Sequence, residues 1–140
     1  MATFAATLTL ASADAFPHQP INLTASSTLT IKAPYTDLSK VKAVSSPGVE
    51  LLTTTDNTST PTYMFIRHTG KTSDGSASGV NDIVTIKLTN TAGTPVTLTA
   101  LSLSPLEFLF MPVISAHSVI CIAPAGDPMI EYIFFAKSIV

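Results

Sequence analysis

Residues that could hold a metal ion or act as a nucleophile are few and scattered in this sequence. The three histidines are His18, His68 and His117, and none has a second histidine three to five residues away, the spacing typical of zinc ligands. One interpretation is a composite site formed by all three in the folded chain. The other, which we favour, is isolated polar residues at strand ends. The single cysteine, Cys121, lies in an apolar run and is expected to be a buried, inert thiol. We therefore expect no metal and no cofactor.

Glu107 and Glu131 are the carboxylates that fall inside strongly apolar runs. A buried pair of carboxyl groups could have raised pKa values and exchange protons with a substrate. The simpler interpretation is a structural role, either as outward-facing residues or bound to Lys137 or Arg67. No serine stands in the strand-to-helix turn that presents a catalytic hydroxyl. The sequence therefore predicts a protein that is not an enzyme.

Charge and composition restrict the class of protein further. Charged residues make up 11% of the chain and the formal net charge is −2, whereas an average soluble domain has about 25% charged residues. This charge balance gives no excess of basic residues that would attract nucleic acid or an anionic membrane surface. In addition, no apolar run approaches the roughly 20 residues that span a bilayer. Serine and threonine supply the polar surface instead, and threonine disfavours helix. The composition favours an all-β protein.

The closing run, Met129 to Lys137, holds the densest group of large apolar and aromatic side chains. With the period of two of a β-strand, its two faces carry Ile130, Tyr132 and Phe134 on one side, and Glu131, Ile133 and Phe135 on the other. Both faces are largely apolar, so the run predicts a central strand. Its second face must be covered by another sheet or by a neighbouring subunit.

Shorter alternating runs predict further strands. They lie at 3–10, 21–31, 41–44, 49–53, 63–69, 83–88, 96–103, 108–113 and 118–122. We expect a bulge or bend at Ser26-Ser27, and an end to the second strand at Ala33–Asp37. About eight to ten short strands at this spacing predict an antiparallel β-sandwich or a jelly-roll-like barrel.

The amino-terminal segment differs from the rest of the chain. Two prolines, Pro17 and Pro20, separate it from the following strand. We therefore predict that residues 1–20 form an extended arm that contacts a neighbouring subunit, and that 21–140 form a single β-sandwich domain. The candidate interface consists of apolar residues of the arm and of the second face of the closing strand: Phe4, Leu8, Leu10, Phe16, Ile133 and Phe135.

Three segments of the carboxyl-terminal half carry a resemblance to a known class of protein. They are Glu107–Pro112, Ser118–Ala123 and Ile130–Phe135, and the segments Leu8–Pro17 and Tyr63–Gly70 fit the same pattern. In this order the chain resembles small virion structural proteins of tailed bacteriophages. The resemblance is structural and carries no catalytic residue.

The function that this resemblance implies is a non-enzymatic role in the phage head. We expect a capsid decoration (cement) protein, a homo-oligomer with a trimer as the favoured form. Its partner would be the major capsid protein or another virion protein, in virions assembled in the host cytoplasm. The alternative is a head-fibre, collar or tail-associated sandwich that binds a host-surface glycan or another virion protein. Tyr35 is the candidate glycan contact, because sugar rings stack on exposed aromatic side chains.

Overall fold

The computed structural model describes residues 2–13, 21–58, 62–90 and 97–138. These residues form ten β-strands and no helix. The strands are β1 Ala2–Ser12, β2 Ile21–Tyr35, β3 Ser39–Lys42, β4 Val49–Leu52, β5 Thr62–Thr72, β6 Val84–Asn90, β7 Thr97–Leu103, β8 Phe108–Val113, β9 His117–Ile122 and β10 Pro128–Lys137.

The strands form two antiparallel sheets packed as a β-sandwich. The larger sheet has the order β1-β2-β10-β5-β8, with β3 also paired to β10, and the smaller has the order β4-β9-β6-β7. The prediction of an all-β sandwich is therefore confirmed. The face of the larger sheet that is turned away from the smaller sheet is called the outer face below.

The core lies between the sheets and is built from alternate residues of the strands that line it. The larger sheet contributes Met64, Ile66, Val113, Ile130 and Phe134, and the smaller contributes Leu51, Val84, Ile86, Val119 and Cys121. Alternation therefore predicted the inward direction of Val84 and Ile86, which are fully buried. Burial of such side chains contributes roughly 1.5–3 kcal/mol each, which is the main source of stability for a fold of this kind.

The closing strand, β10, is central as predicted. It pairs with β5 along most of its length, and its other edge pairs with β3 near its start and with β2 near its end. The core side carries Ile130 and Phe134. The outer-face side of β10 carries Glu131, Ile133 and Phe135.

Two local expectations about the second strand are wrong. The pairing of β1 with β2 runs without a register shift from Ala2↔Ile31 to Ser12↔Ile21, so there is no bulge at Ser26-Ser27. Nor does the strand end at Ala33, because β2 continues through Pro34 to Tyr35. The third strand also lies two residues earlier than expected, at Ser39–Lys42. Proline is tolerated in β2 because its ladder to β10 is irregular at this point, with a register shift at Phe135/Ala136.

Candidate functional site

His68 is fully buried in β5 and both of its ring nitrogens bind backbone groups. Nδ1 accepts a hydrogen bond from the Gly70 N–H at 3.0 Å, which assigns the ring proton to Nε2, 2.7 Å from the Asp82 carbonyl oxygen. The ring thus ties the loop that precedes β6 to the end of β5. This arrangement makes His68 a structural residue.

The two glutamates of the apolar runs lie in separate places. Glu131 is buried on the outer face of β10, where Oε1 lies 2.9 Å from Lys40 Nζ and Oε2 accepts a hydrogen bond from the Arg67 guanidinium group. The Glu107 carboxylate accepts a hydrogen bond from the Ser104 N–H at 2.7 Å, in the turn between β7 and β8. The expected bond between Glu131 and Arg67 is therefore present, and the two carboxylates do not form a pair.

The surroundings of Glu131 favour its charged form. The hydrogen bond from Lys40 lowers the pKa of the Glu131 carboxyl group most, burial raises this pKa in part, and Arg67 lowers it by hydrogen bonding and charge. A general acid needs the opposite shift. Glu131 therefore serves as an anionic anchor for two cations, with a pKa that is lowered in the folded chain.

The remaining candidates for chemistry also have structural surroundings. Burial raises the pKa of the Cys121 thiol to about 11, so the reactive thiolate is scarce at neutral pH. His117 Nδ1 lies 2.9 Å from the Ser115 carbonyl oxygen, and His18 lies outside the described residues. Within the described ranges, no group of three or more histidine, cysteine, aspartate or glutamate side chains could hold a metal ion.

The chain's most distinctive surface is a two-stranded hairpin, here called the β arm, made of β1 and residues 21–31 of β2. Directly paired residues of the two strands point to the same side. One face is mostly apolar and carries Ala2, Phe4, Ala6, Leu8, Leu10, Ile21, Leu23, Ala25, Leu29 and Ile31, together with Ser12 and Ser27. The other face is mostly polar and carries Thr3, Thr7, Thr9, Asn22, Thr24, Ser26, Thr28 and Thr30, together with Ala5 and Ala11. The β arm is thus amphipathic and, over residues 2–13 and 21–31, has no charged side chain.

The base of the β arm lies across the outer face of the larger sheet. In the strand order, β1 and β8 stand at opposite ends, about 19 Å apart if the sheet were flat. Nevertheless the Phe4 ring centroid lies 6.2 Å from that of Phe110 in β8, and 4.6 Å from that of Phe135 in β10. The hairpin must therefore fold over the sheet, so that Phe4 joins a cluster of rings on the outer face.

This ring cluster covers Phe135 on the second face of β10. The Phe135 ring packs between Phe4, Tyr63 and Phe110, and Phe135 is 1% exposed. Its cover is the chain's own β arm. Contact of Phe135 with a second subunit stays a prediction and requires the arm to move.

The β arm covers only part of the outer face. Between the arm and β8 runs an open groove of about 600 Å³. One wall is the arm from Phe4 to Leu8, and the other includes Phe65, Phe108 and Phe110. Phe108 is 59% exposed. Leu10 and Leu23, paired near the far end of the arm, do not line this groove and are 48% and 55% exposed.

The predicted interface residues are thus divided between two environments. Leu8 and Leu10 lie exposed on the β arm, whereas Ile133 is half-buried on the outer face beside Phe65. Phe16 lies outside the described residues. Tyr35, the candidate glycan contact, ends β2 and is 63% exposed. The structure brings the arm and the outer face together at Phe4.

Sequence reasoning missed the second wall of the groove. Phe108 and Phe110 are two residues apart, as are Tyr63 and Phe65, so period two places each pair on one face. This spacing is visible in the sequence and indicates an aromatic face on each strand, but the opposite faces of β5 and β8 are also apolar. Alternation by itself could not tell which face was outer.

Comparison of the chain with known protein families, characterised proteins and solved structures finds no match among any of the three. A search of the described part of the chain for a helix of membrane-spanning length and hydropathy also finds none.

Proposed function

We propose that the chain is a non-enzymatic virion structural protein of a tailed bacteriophage, acting as a capsid decoration protein. In this proposal it assembles as a homo-oligomer, with a trimer as the expected form, and contacts the major capsid protein. Assembly takes place in the host cytoplasm and the mature protein resides in the virion.

The single observation that carries the proposal is the β arm with its exposed apolar face. A hairpin of two strands is marginally stable in water without a packing partner. Leu8, Leu10 and Leu23 nevertheless keep about half of their surface exposed. An apolar surface of this kind marks a contact with another protein. A protein that joins neighbours in a lattice needs such contacts, whereas a monomeric enzyme does not.

The distribution of charge supports the same conclusion. The β arm is uncharged and the groove beside it is lined largely by phenylalanine, leucine and alanine. Lys40 and Arg67 are engaged with Glu131 on the same outer face. Charge is depleted at the core of protein–protein interfaces and aromatic residues are enriched there. The surface therefore suits protein contacts better than binding of a polyanion.

Co-sedimentation with phage heads tests the proposal. The purified protein is mixed with heads of tailed phages lacking decoration, and the bound fraction is measured against concentration. We expect saturable binding with a stoichiometry set by the capsid lattice. A protein that stays monomeric at high concentration and is not retained on heads would contradict the proposal.

One observation supports the alternative function of binding a host-surface glycan. Tyr35 is 63% exposed at the end of β2, where its ring is accessible to a sugar. A glycan array with the native protein tests this function. Hits that disappear in Tyr35→Ala but persist in Tyr35→Phe, which keeps the ring, would place host-glycan recognition above capsid decoration.

A further inference from the structure

We propose that the outer face carries a binding site for a small oxyanion, a carboxylate, phosphate or sulfate group, at the end of β5. The site is an open cleft of about 440 Å³, here called the cationic cleft, whose lining includes Lys40, Arg67, Lys71, Ser73, Gly75 and Glu131. Binding of a small anion goes beyond the proposed role in the virion and does not depend on it.

Positive charge is concentrated in the cationic cleft. Three of the seven lysines and arginines of the chain line it, together with the single carboxylate of Glu131. Three positive charges against one negative charge leave an excess of two, whereas the whole chain has a formal net charge of −2. An anion that binds here is therefore attracted by the local arrangement, because the charge of the protein as a whole would repel it.

The register of the strands holds two of the cations in place. Glu131 of β10 pairs directly with Lys40 of β3 on one side and with Arg67 of β5 on the other. The Glu131 side chain is buried, whereas those of Lys40 and Arg67 are 63% and 49% exposed. A lysine ammonium group has three N–H donors and a guanidinium group has five. Each cation thus keeps donors for a ligand after its bond to Glu131.

Lys71 supplies a third cation without a carboxylate partner. Within the described ranges, none of the ion pairs includes this exposed lysine. The acidic side chain three positions further on, Asp74, is engaged in its own turn. There its Oδ1 accepts hydrogen bonds from the Thr72 hydroxyl group and from the Ser76 N–H. The ammonium group of Lys71 is therefore available to bind an anion.

The rest of the lining suits an oxyanion carried by a small polar molecule. The guanidinium group of Arg67 presents N–H donors in a fork that matches two oxygens of a carboxylate or phosphate group. Ser73 adds a hydroxyl group, and a Cβ on Gly75 would meet no atom within 4 Å, so the turn leaves open space. The volume of about 440 Å³ lies within the roughly 300–1,000 Å³ of small-molecule sites.

An NMR titration of the native protein with inorganic phosphate locates the site. We expect saturable shifts of the amide signals of residues 67–75 and of Lys40, with a dissociation constant in the millimolar range or tighter. Sodium chloride at equal ionic strength is the control and should not reproduce these shifts. Shifts that do not saturate, or that spread evenly over the chain, would overturn the site.

Two lysine substitutions test whether the cleft itself binds the anion. Lys71→Ala removes the unpaired cation, whereas Lys32→Ala removes the same charge from an exposed position of β2 outside the cleft. We expect Lys71→Ala to raise the dissociation constant for phosphate about fivefold or more. Lys32→Ala should change it by less than about twofold, because salt screens distant charges. Circular dichroism melts establish that both variants are folded, and equal effects on binding would overturn the proposal.

The same titration with sulfate and with glucuronate distinguishes the sources of the anion. Binding of phosphate or sulfate at least as tight as that of glucuronate would assign the cleft to an inorganic ion or an ester group. Tighter binding of glucuronate would assign it to an acidic sugar, and both results support an oxyanion site. Failure of all three anions to bind the native protein would contradict it.

Discussion

Glu131 is a buried carboxylate held between two cations, Lys40 and Arg67. Its pKa is lowered in the folded chain, chiefly by the hydrogen bond from Lys40. The folded protein therefore binds this proton less readily than the unfolded chain does. The resulting stabilisation is present above about pH 4.3, the ordinary glutamate value, and is lost as the pH falls through the folded pKa.

We predict that Glu131→Gln is less stable than the native protein at pH 7, and that the difference shrinks as the pH falls below about 4.3. Urea unfolding from pH 3 to pH 8 measures it. Glu50→Gln is the matched control, because Glu50 is an exposed strand residue. A stability difference for Glu131→Gln that is constant over this range would show that the ion pairs do not produce it.

Substitution of two glycines can distinguish the cost of backbone strain from the cost of a steric clash. Gly48 and Gly75 have similar positive φ values of 93° and 89°. A Cβ on Gly48 would lie 2.8 Å from the Cys121 carbonyl oxygen, whereas a Cβ on Gly75 would meet no atom within 4 Å. The first glycine is therefore required both by conformation and by the close approach of the chain to β9.

We predict that Gly75→Ala costs about 1 kcal/mol of unfolding free energy, from the left-handed backbone alone. Gly48→Ala should cost about 1–3 kcal/mol more, because the added methyl group overpacks the contact. Chemical denaturation of both variants decides it. Equal losses would mean that β9 shifts freely away from Gly48.

At the scale of the element, β10 buries phenylalanines on both of its faces. Phe134 belongs to the core between the sheets, and Phe135 lies beneath the β arm against Phe4. The two residues thus report on different layers of one molecule. The outer layer covers less of the larger sheet, because a two-stranded hairpin rather than a four-stranded sheet lies over it.

We predict that Phe134→Ala lowers the unfolding free energy by about 3–5 kcal/mol, which abolishes folding if the domain lies at the low end of the usual 5–15 kcal/mol. Phe135→Ala should leave a folded, less stable protein with a loosened arm and weaker self-association, because Phe4 loses its ring partner. Thermal melts, limited proteolysis of the amino-terminal segment and sedimentation check this. If the arm of Phe135→Ala were cleaved no faster than the arm of the native protein, the contact between Phe4 and Phe135 would not be made in solution.

For the whole molecule, the described part of the amino-terminal segment lies outside the core between the two sheets. The described part of this segment pairs with β2 alone, and its contact with the outer face is centred on Phe4. The core cluster between the sheets contains no residue of β1.

We predict that deletion of residues 1–16 leaves a folded sandwich with a lower melting temperature and no self-association. We expect the melting temperature to fall because Phe135 becomes exposed, and self-association to be lost because the exposed apolar face of the β arm is gone. Circular dichroism and sedimentation measure the two effects. Outright unfolding of the shortened chain would show that β1 is part of the folding unit.

Much of the secondary structure could be read from the sequence because strand alternation is a local property. The alternation at Val84, Ile86 and Leu88 reports one buried face directly, and the large side chains on both faces of Met129–Lys137 require a strand covered on both sides. The all-β class and the central position of β10 followed from these patterns. The burial of Cys121 and the pairing of Glu131 with Arg67 also followed, since both residues lie within apolar runs.

Tertiary structure alone decided which surfaces meet. Whether the outer cover of Phe135 is a sheet, a subunit or the chain's own arm depends on the register of β2 on β10, and that register joins residues about a hundred positions apart. Side-chain alternation contains no information on pairing at such a distance, because any strand with the same period would fit. The groove beside Phe108 and Phe110 has the same origin, since it exists only where the hairpin crosses the sheet.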